Sequence, residues 1–178
     1  MSDYITTYSH VKFTPANPRT EDIKIEDIAH SLTHLCRGNG HVKTFFSVAQ
    51  HAINAAKEAK AKGYDKRLQL ACLLHDGSEA YLGDITRPFK KSLPDYLKFE
   101  EILQDKIYFK FLGSDLTAEE TTLIYEIDNI MLYYEMIELM THKVYDEPPE
   151  ILSEPNFDER SFREVESEFL KIFNELTK

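Results

Sequence analysis

The residues best suited to chemistry in this chain are His75 and Asp76, adjacent in the run Ala71-Cys72-Leu73-Leu74-His75-Asp76-Gly77-Ser78-Glu79. So apolar a stretch is expected to be buried. Buried ionisable groups are usually paired or bind a metal, because desolvating a lone charge is costly. An imidazole beside a carboxylate, with a second carboxylate three residues on, suits a cation with a helper acid. Two further residues strengthen the pattern: His51, about one helix upstream, and Asp128, on the apolar face of a helix far downstream.

Helical spacing puts all of these on inward faces. His51 lies three residues after Val48 and four before Ala55, and Asp128 four after Ile124 and three before Met131. Mixed imidazole and carboxylate ligands suit first-row divalent metals, and two His with two Asp leave positions open for water and substrate. Each residue alone has an ordinary explanation: a satisfied core histidine for His51, a salt-bridge partner or N–H acceptor for Asp128. Their joint placement favours a metal. Glu135, one heptad after Asp128, is the next candidate on that face. His30 and His34, at i and i+4, could also chelate, but Ala29 and Leu32 beside them favour a core role. Basic groups that could meet a phosphate are Arg37 and His41 in a Gly-rich turn, and Arg87 and Lys90 after the Gly83-Asp84 break.

Helices position these groups. Ile25, Ile28, Leu32 and Leu35 predict a first helix ended by Gly38 and Gly40. Ser47-Val48-Ala49-Gln50 has the form of a capping box and predicts a second helix to about Lys62. Asp65 caps a third, ending at His75-Asp76, with a further turn over Ser78 to Leu82. A fourth runs from Asp95 to Leu112, and Thr117-Ala118-Glu119-Glu120 opens a long one to about His142. After a connection from Asp146 to Pro155, a last amphipathic helix is expected over about residues 158–177. A short strand or hairpin is expected around Thr6 to Phe13. The expectation is one all-α domain, a helical bundle over residues 1–178.

The chain has 178 residues, 42% of them apolar, enough for a single core. Its formal charge of −10 argues against nucleic-acid polymers and anionic membranes as partners, though not against a small phosphorylated substrate. Cys36 and Cys72 read as buried thiols in a reducing compartment. No basic region precedes an apolar block at Met1-Ser2-Asp3-Tyr4, and no stretch is long enough to span a bilayer, so a cytoplasmic location is expected. Phe45-Phe46 and the aromatic C-terminal helix offer apolar surface for a homodimer.

With those residues in view, the chain resembles the HD-domain metal-dependent phosphohydrolases, whose pattern is a His, a His-Asp pair and a distant Asp on helices. Here these are His51, His75-Asp76 and Asp128. The match is closer to the bacterial 5′-deoxynucleotidase-like branch, through Ser47-Val48-Ala49-Gln50-His51, His75-Asp76-Gly77-Ser78-Glu79-Ala80, Gly83-Asp84-Ile85 and Pro88-Phe89-Lys90. It covers residues 25–140. Gln50 departs from it, standing where an acidic residue is common, as does Arg87, added before Pro88. The resemblance implies one divalent ion (Mn, Co, Mg, Fe, Ni or Zn), Glu79 and Asp84 near the reacting phosphate, and Arg37 on it. The expected activity is phosphate release from a (deoxy)nucleoside 5′-monophosphate. The rivals are pyrophosphate cleavage from a nucleotide or alarmone, and a non-catalytic metal- and nucleotide-binding regulator.

Overall fold

Local chemistry starts most of the helices. In the computed structural model, which describes residues 3–142 and 147–178, Ser47 accepts from the Gln50 N–H and opens α2 (Val48–Ala61), following α1 (Ile25–His34). Asp65 caps α3 (Lys66–Leu74) by accepting from the Leu68 N–H. Two four-residue helices follow, α4 (Glu79–Leu82) and α5 (Arg87–Lys90). Next come α6 (Pro94–Leu112), α7 (Ala118–Met140) on the expected Thr117/Glu120 box, and α8 (Phe162–Leu176). Reciprocal bonds of this kind satisfy two of the N–H groups that every helix start leaves unpaired. A small antiparallel hairpin, β1 (Ile5–Thr6) with β2 (Lys12–Phe13), precedes them, pairing Ile5 with Phe13. Among the described residues the protein is all-α apart from this hairpin.

The centre is α2. Its alanines 49, 52, 55, 56 and 59 are almost fully buried and let α1, α3, α7 and α8 approach closely. Its polar residues Gln50, Asn54 and Glu58, four apart, bind the backbone of an extended strap before α8. Gln50 Nε2 donates to the Asp158 carbonyl, Asn54 exchanges two bonds with Asn156, and Glu58 accepts from the N–H groups of Leu152 and Ser153.

Two expectations need correction. The first helix stops at His34, not at the glycines: Cys36 bridges to Ser47 and the Arg37 N–H bonds the Phe46 carbonyl, so tertiary pairing straightens the chain. The last helix starts at Phe162 because residues 158–161 belong to the strap and to the Ser161 cap. Of the apolar residues at Phe45-Phe46 and on the last helix, Phe46, Val165 and Phe169 lie in the core, while Phe162 is exposed. The expected connection begins at Asp146, outside the described residues, as do Met1 and Ser2 of the N-terminal reading. Among the described residues no helix is long and apolar enough to cross a membrane.

Candidate metal centre

Three helices deliver polar groups to one buried point. His51, one turn into α2, is fully buried. His75 caps the end of α3, Asp76 sits in the turn beyond, and Gly77 lets that turn pack tightly. A Cβ at Gly77 would lie 2.9 Å from the Leu74 carbonyl oxygen and 3.2 Å from Ile107 Cδ1. Asp128 reaches in from α7.

The two imidazoles face each other through Nε2 at 3.0 Å. His51 Nε2 lies 3.1 Å from Asp128 Oδ1 and 3.7 Å from Asp76 Oδ2; His75 Nε2 lies 3.3 Å from Asp76 Oδ2 and 3.8 Å from Asp128 Oδ1. Metal bonds of about 2.0–2.2 Å put neighbouring ligand atoms about 3–3.5 Å apart, a range that the 3.0, 3.1 and 3.3 Å separations meet and the 3.7 and 3.8 Å ones exceed. His51, His75 and Asp76 form a group that could hold a metal ion.

The far side of each ring fixes the tautomer. His51 Nδ1 lies 2.6 Å from Glu135 Oε1, and His75 Nδ1 lies 2.7 Å from the Cys72 carbonyl. Carboxylate and carbonyl both accept, so both Nδ1 atoms donate and both Nε2 lone pairs point into the cluster, the arrangement common to metal-ligating histidines. Burial opposes charge on both imidazoles. Asp76 and then Asp128 nonetheless raise His75 to about 9, and Glu135 helps to raise His51. Asp128, despite its burial, is held well below the carboxylate range by the two histidines.

A second ring of groups surrounds this point. Arg37 approaches Asp76 Oδ2 at 3.5 Å and Glu135 Oε2 at 3.3 Å. Burial works against its charge, but Glu135 and then Asp76 outweigh that and keep it ionised. Glu79, 4% exposed, accepts from Lys90 Nζ at 3.3 Å through Oε1, while its Oε2 is buried with no hydrogen-bond partner among the described residues. Burial, with Asp76 and Asp84 nearby, pushes the Glu79 carboxyl well above its ordinary value. Asp84 Oδ2 is likewise buried with no partner among the described residues, and burial raises Asp84 too. A cleft of about 440 Å³, lined by His75, Asp76, Lys90 and Glu100 among others, opens beside them.

Of the other expected phosphate contacts, Lys90 lines this cleft, bonded to Glu79 and Glu100. Arg87 is engaged with Asp128, Asn129 and the face of Tyr125. His41 is exposed and makes no side-chain hydrogen bond to the cluster. His30 and His34 stack in a column with Tyr8 and Phe162, away from the cluster, His30 bonded to Glu166. The sequence reading named Glu135 only as a substitute ligand. The structure places it across the His51 ring from Nε2, bridging His51 and Arg37.

No family model matches the chain. Over 136 residues it is 36% identical to the "Uncharacterized protein YfdR" of Escherichia coli (strain K12), an alignment spanning 76% of this chain and 72% of that protein. It is also 36% identical over 101 residues to the "Uncharacterized protein RCAP_rcc00048" of Rhodobacter capsulatus, covering 53% of this chain and 51% of that one. This all-α protein with a buried His-His-Asp cluster therefore belongs to the family of YfdR.

Proposed function

We propose that the protein is a divalent-metal-dependent phosphohydrolase of the HD type that releases orthophosphate from phosphate monoesters, with (deoxy)nucleoside 5′-monophosphates as the substrate class. One observation carries the reading. Two imidazole lone pairs, each fixed by a donor bond on the opposite nitrogen, face each other at 3.0 Å beside two carboxylates. Opposed lone pairs repel unless a shared proton or a cation relieves them, and the residue types beside them fit a first-row divalent ion. His51, His75, Asp76 and Asp128 would hold it. Such an ion supplies a Lewis acid for a phosphate oxygen and lowers the pKa of a bound water.

The chain's own groups do the rest. Glu79, whose buried setting favours the protonated carboxyl, donates a proton to the leaving oxygen, and Asp84 orients the attacking water or takes its proton. Arg37 and Lys90 offset the charge that builds on the phosphate oxygens. The test is a panel of nucleotides and sugar phosphates assayed with Mn²⁺, Co²⁺ and Mg²⁺. Orthophosphate from a monoester supports the reading, release of pyrophosphate instead points to the rival chemistry, and no product with any metal overturns it.

A further inference from the structure

Glu135 joins two groups that the reaction uses separately. It is 5% exposed, yet it carries a charge that an ordinary core position on α7 would not need. Its two oxygens divide their work. Oε1 accepts from His51 Nδ1 at 2.6 Å, and Oε2 accepts from Arg37 Nε at 3.4 Å and Nη2 at 3.3 Å. The ring nitrogens of an imidazole point in opposite directions, so Glu135 lies behind His51 rather than among the atoms around Nε2. It leaves the His51 Nε2 lone pair directed at the cluster and holds the guanidinium with Nη1 toward Asp76 Oδ2.

We propose that Glu135 is a positioning residue that couples metal affinity to phosphate affinity, by orienting the ligand His51 with one oxygen and the phosphate-binding Arg37 with the other. The inference rests on the metal-dependent reading above. His51 would hold the metal through Nε2, and the imidazole so polarised would donate its Nδ1–H more strongly to Glu135. The oriented carboxylate in turn presents Arg37 to the anion. Losing such a partner behind a metal-bound histidine weakens metal affinity by about 10–100-fold.

Calorimetric titration with Mn²⁺ alone, and then with inorganic phosphate on the Mn²⁺-loaded protein, tests this on wild type, Glu135→Gln, Glu135→Asp and Arg37→Ala. Glu135→Gln should lose about 10–100-fold in Mn²⁺ affinity, with Glu135→Asp recovering part of it. Its phosphate affinity should also fall, and adding Arg37→Ala should cost far less in the Glu135→Gln background than in wild type, because the two residues act as one unit. ¹⁵N-imidazole NMR of Zn²⁺-loaded wild type gives a readout that needs no variant: His51 should carry its proton on Nδ1. Equal Mn²⁺ and phosphate affinities in Glu135→Gln and wild type, additive losses in the double variant, or an Nε2–H tautomer in the loaded protein would each overturn the inference alone. Wild type that takes up no Mn²⁺ would overturn the metal reading and this inference with it.

Discussion

Arg87 donates to Oδ2 of Asp128, the carboxylate whose other oxygen lies 3.1 Å from His51 Nε2. The outer cation and the buried imidazoles therefore do not compete for one atom. Arg87 balances the charge of Asp128 from the solvent side while Oδ1 stays turned to the cluster. Asp128→Ala should abolish both metal binding and turnover, with the far-UV CD spectrum retained, since Arg87 is partly exposed and can be solvated alone. Arg87→Ala should keep its metal. Elemental analysis after dialysis against Mn²⁺ checks both, and a full complement in Asp128→Ala would remove that residue from the ligand set.

Glu79→Gln should separate binding from chemistry. The amide keeps the size of the side chain and its contact with Lys90 but has no proton to transfer at neutral pH. General acid catalysis is worth about 10²–10⁴-fold, so kcat should fall by that order while metal content stays at the wild-type level. The wild-type rate should also decline as pH rises through the elevated Glu79 value, a limb that the Gln variant lacks. Loss of metal in Glu79→Gln would make Glu79 a ligand instead.

What could be read from sequence was what is local. The Ser47/Gln50 and Thr117/Glu120 boxes need only neighbours three residues apart, and both helices start where that pattern puts them. The same pattern at Ser161/Glu164 was available, but the acidic run before it masked the boundary. His51, His75, Asp76 and Asp128 stand out in the sequence because each breaks an apolar stripe. The role of Glu135 was not legible, since it depends on His51 lying 84 residues earlier in the chain. The strap was hidden for the same reason, although polar residues recurring every fourth position at 50, 54 and 58 of an Ala-rich helix were its signal. The end of α1 was misplaced because a bridge to Ser47 outranked two glycines.

Gly77→Ala should be costly although Gly77 lies in ordinary backbone space. The new methyl would meet the Leu74 carbonyl and the Ile107 side chain, and overpacking of this kind costs about 1–3 kcal/mol. Because the clash sits against the His75-Asp76 turn, metal affinity should fall with stability. Urea unfolding and Mn²⁺ titration read the two effects, and a variant as stable as wild type would mean that the turn yields freely.

Glu58 should make the strap acid-sensitive. Burial pulls its carboxyl upward, but the N–H groups of Ser153 and Leu152, with Lys62, outweigh this and hold it below the usual value. A carboxyl depressed in the folded state contributes stability above its unfolded value, about 4.3, and loses it as pH falls through the lower folded value. Glu58→Gln should cost about 1.5–3 kcal/mol at pH 7 and flatten the stability profile below pH 4.5. Urea midpoints from pH 3 to 7 give both quantities, and parallel profiles for the two proteins would exclude Glu58 as the source.

The facing histidines predict the opposite slope in the metal-free protein. A proton shared between His51 Nε2 and His75 Nε2 relieves their opposed lone pairs, and Asp76 and Asp128 hold it there against the effect of burial, raising His75 to about 9. A group raised on folding contributes its full stability below the unfolded imidazole value of about 6.5 and loses it as pH rises through the folded value. Chelator-treated protein should therefore lose thermal stability between about pH 6.5 and 9. Metal-loaded protein should hold steady over this window, because the ion replaces the proton and binds more tightly as competing protons leave. His75→Gln, with only His51 left to titrate, should show a shallower slope in the metal-free state. Differential scanning calorimetry of the three forms at pH 6, 7.5 and 9 decides the matter: a flat profile for metal-free wild type would mean that the two imidazoles tolerate each other unprotonated, and the cluster would lose its electrostatic case for a cation.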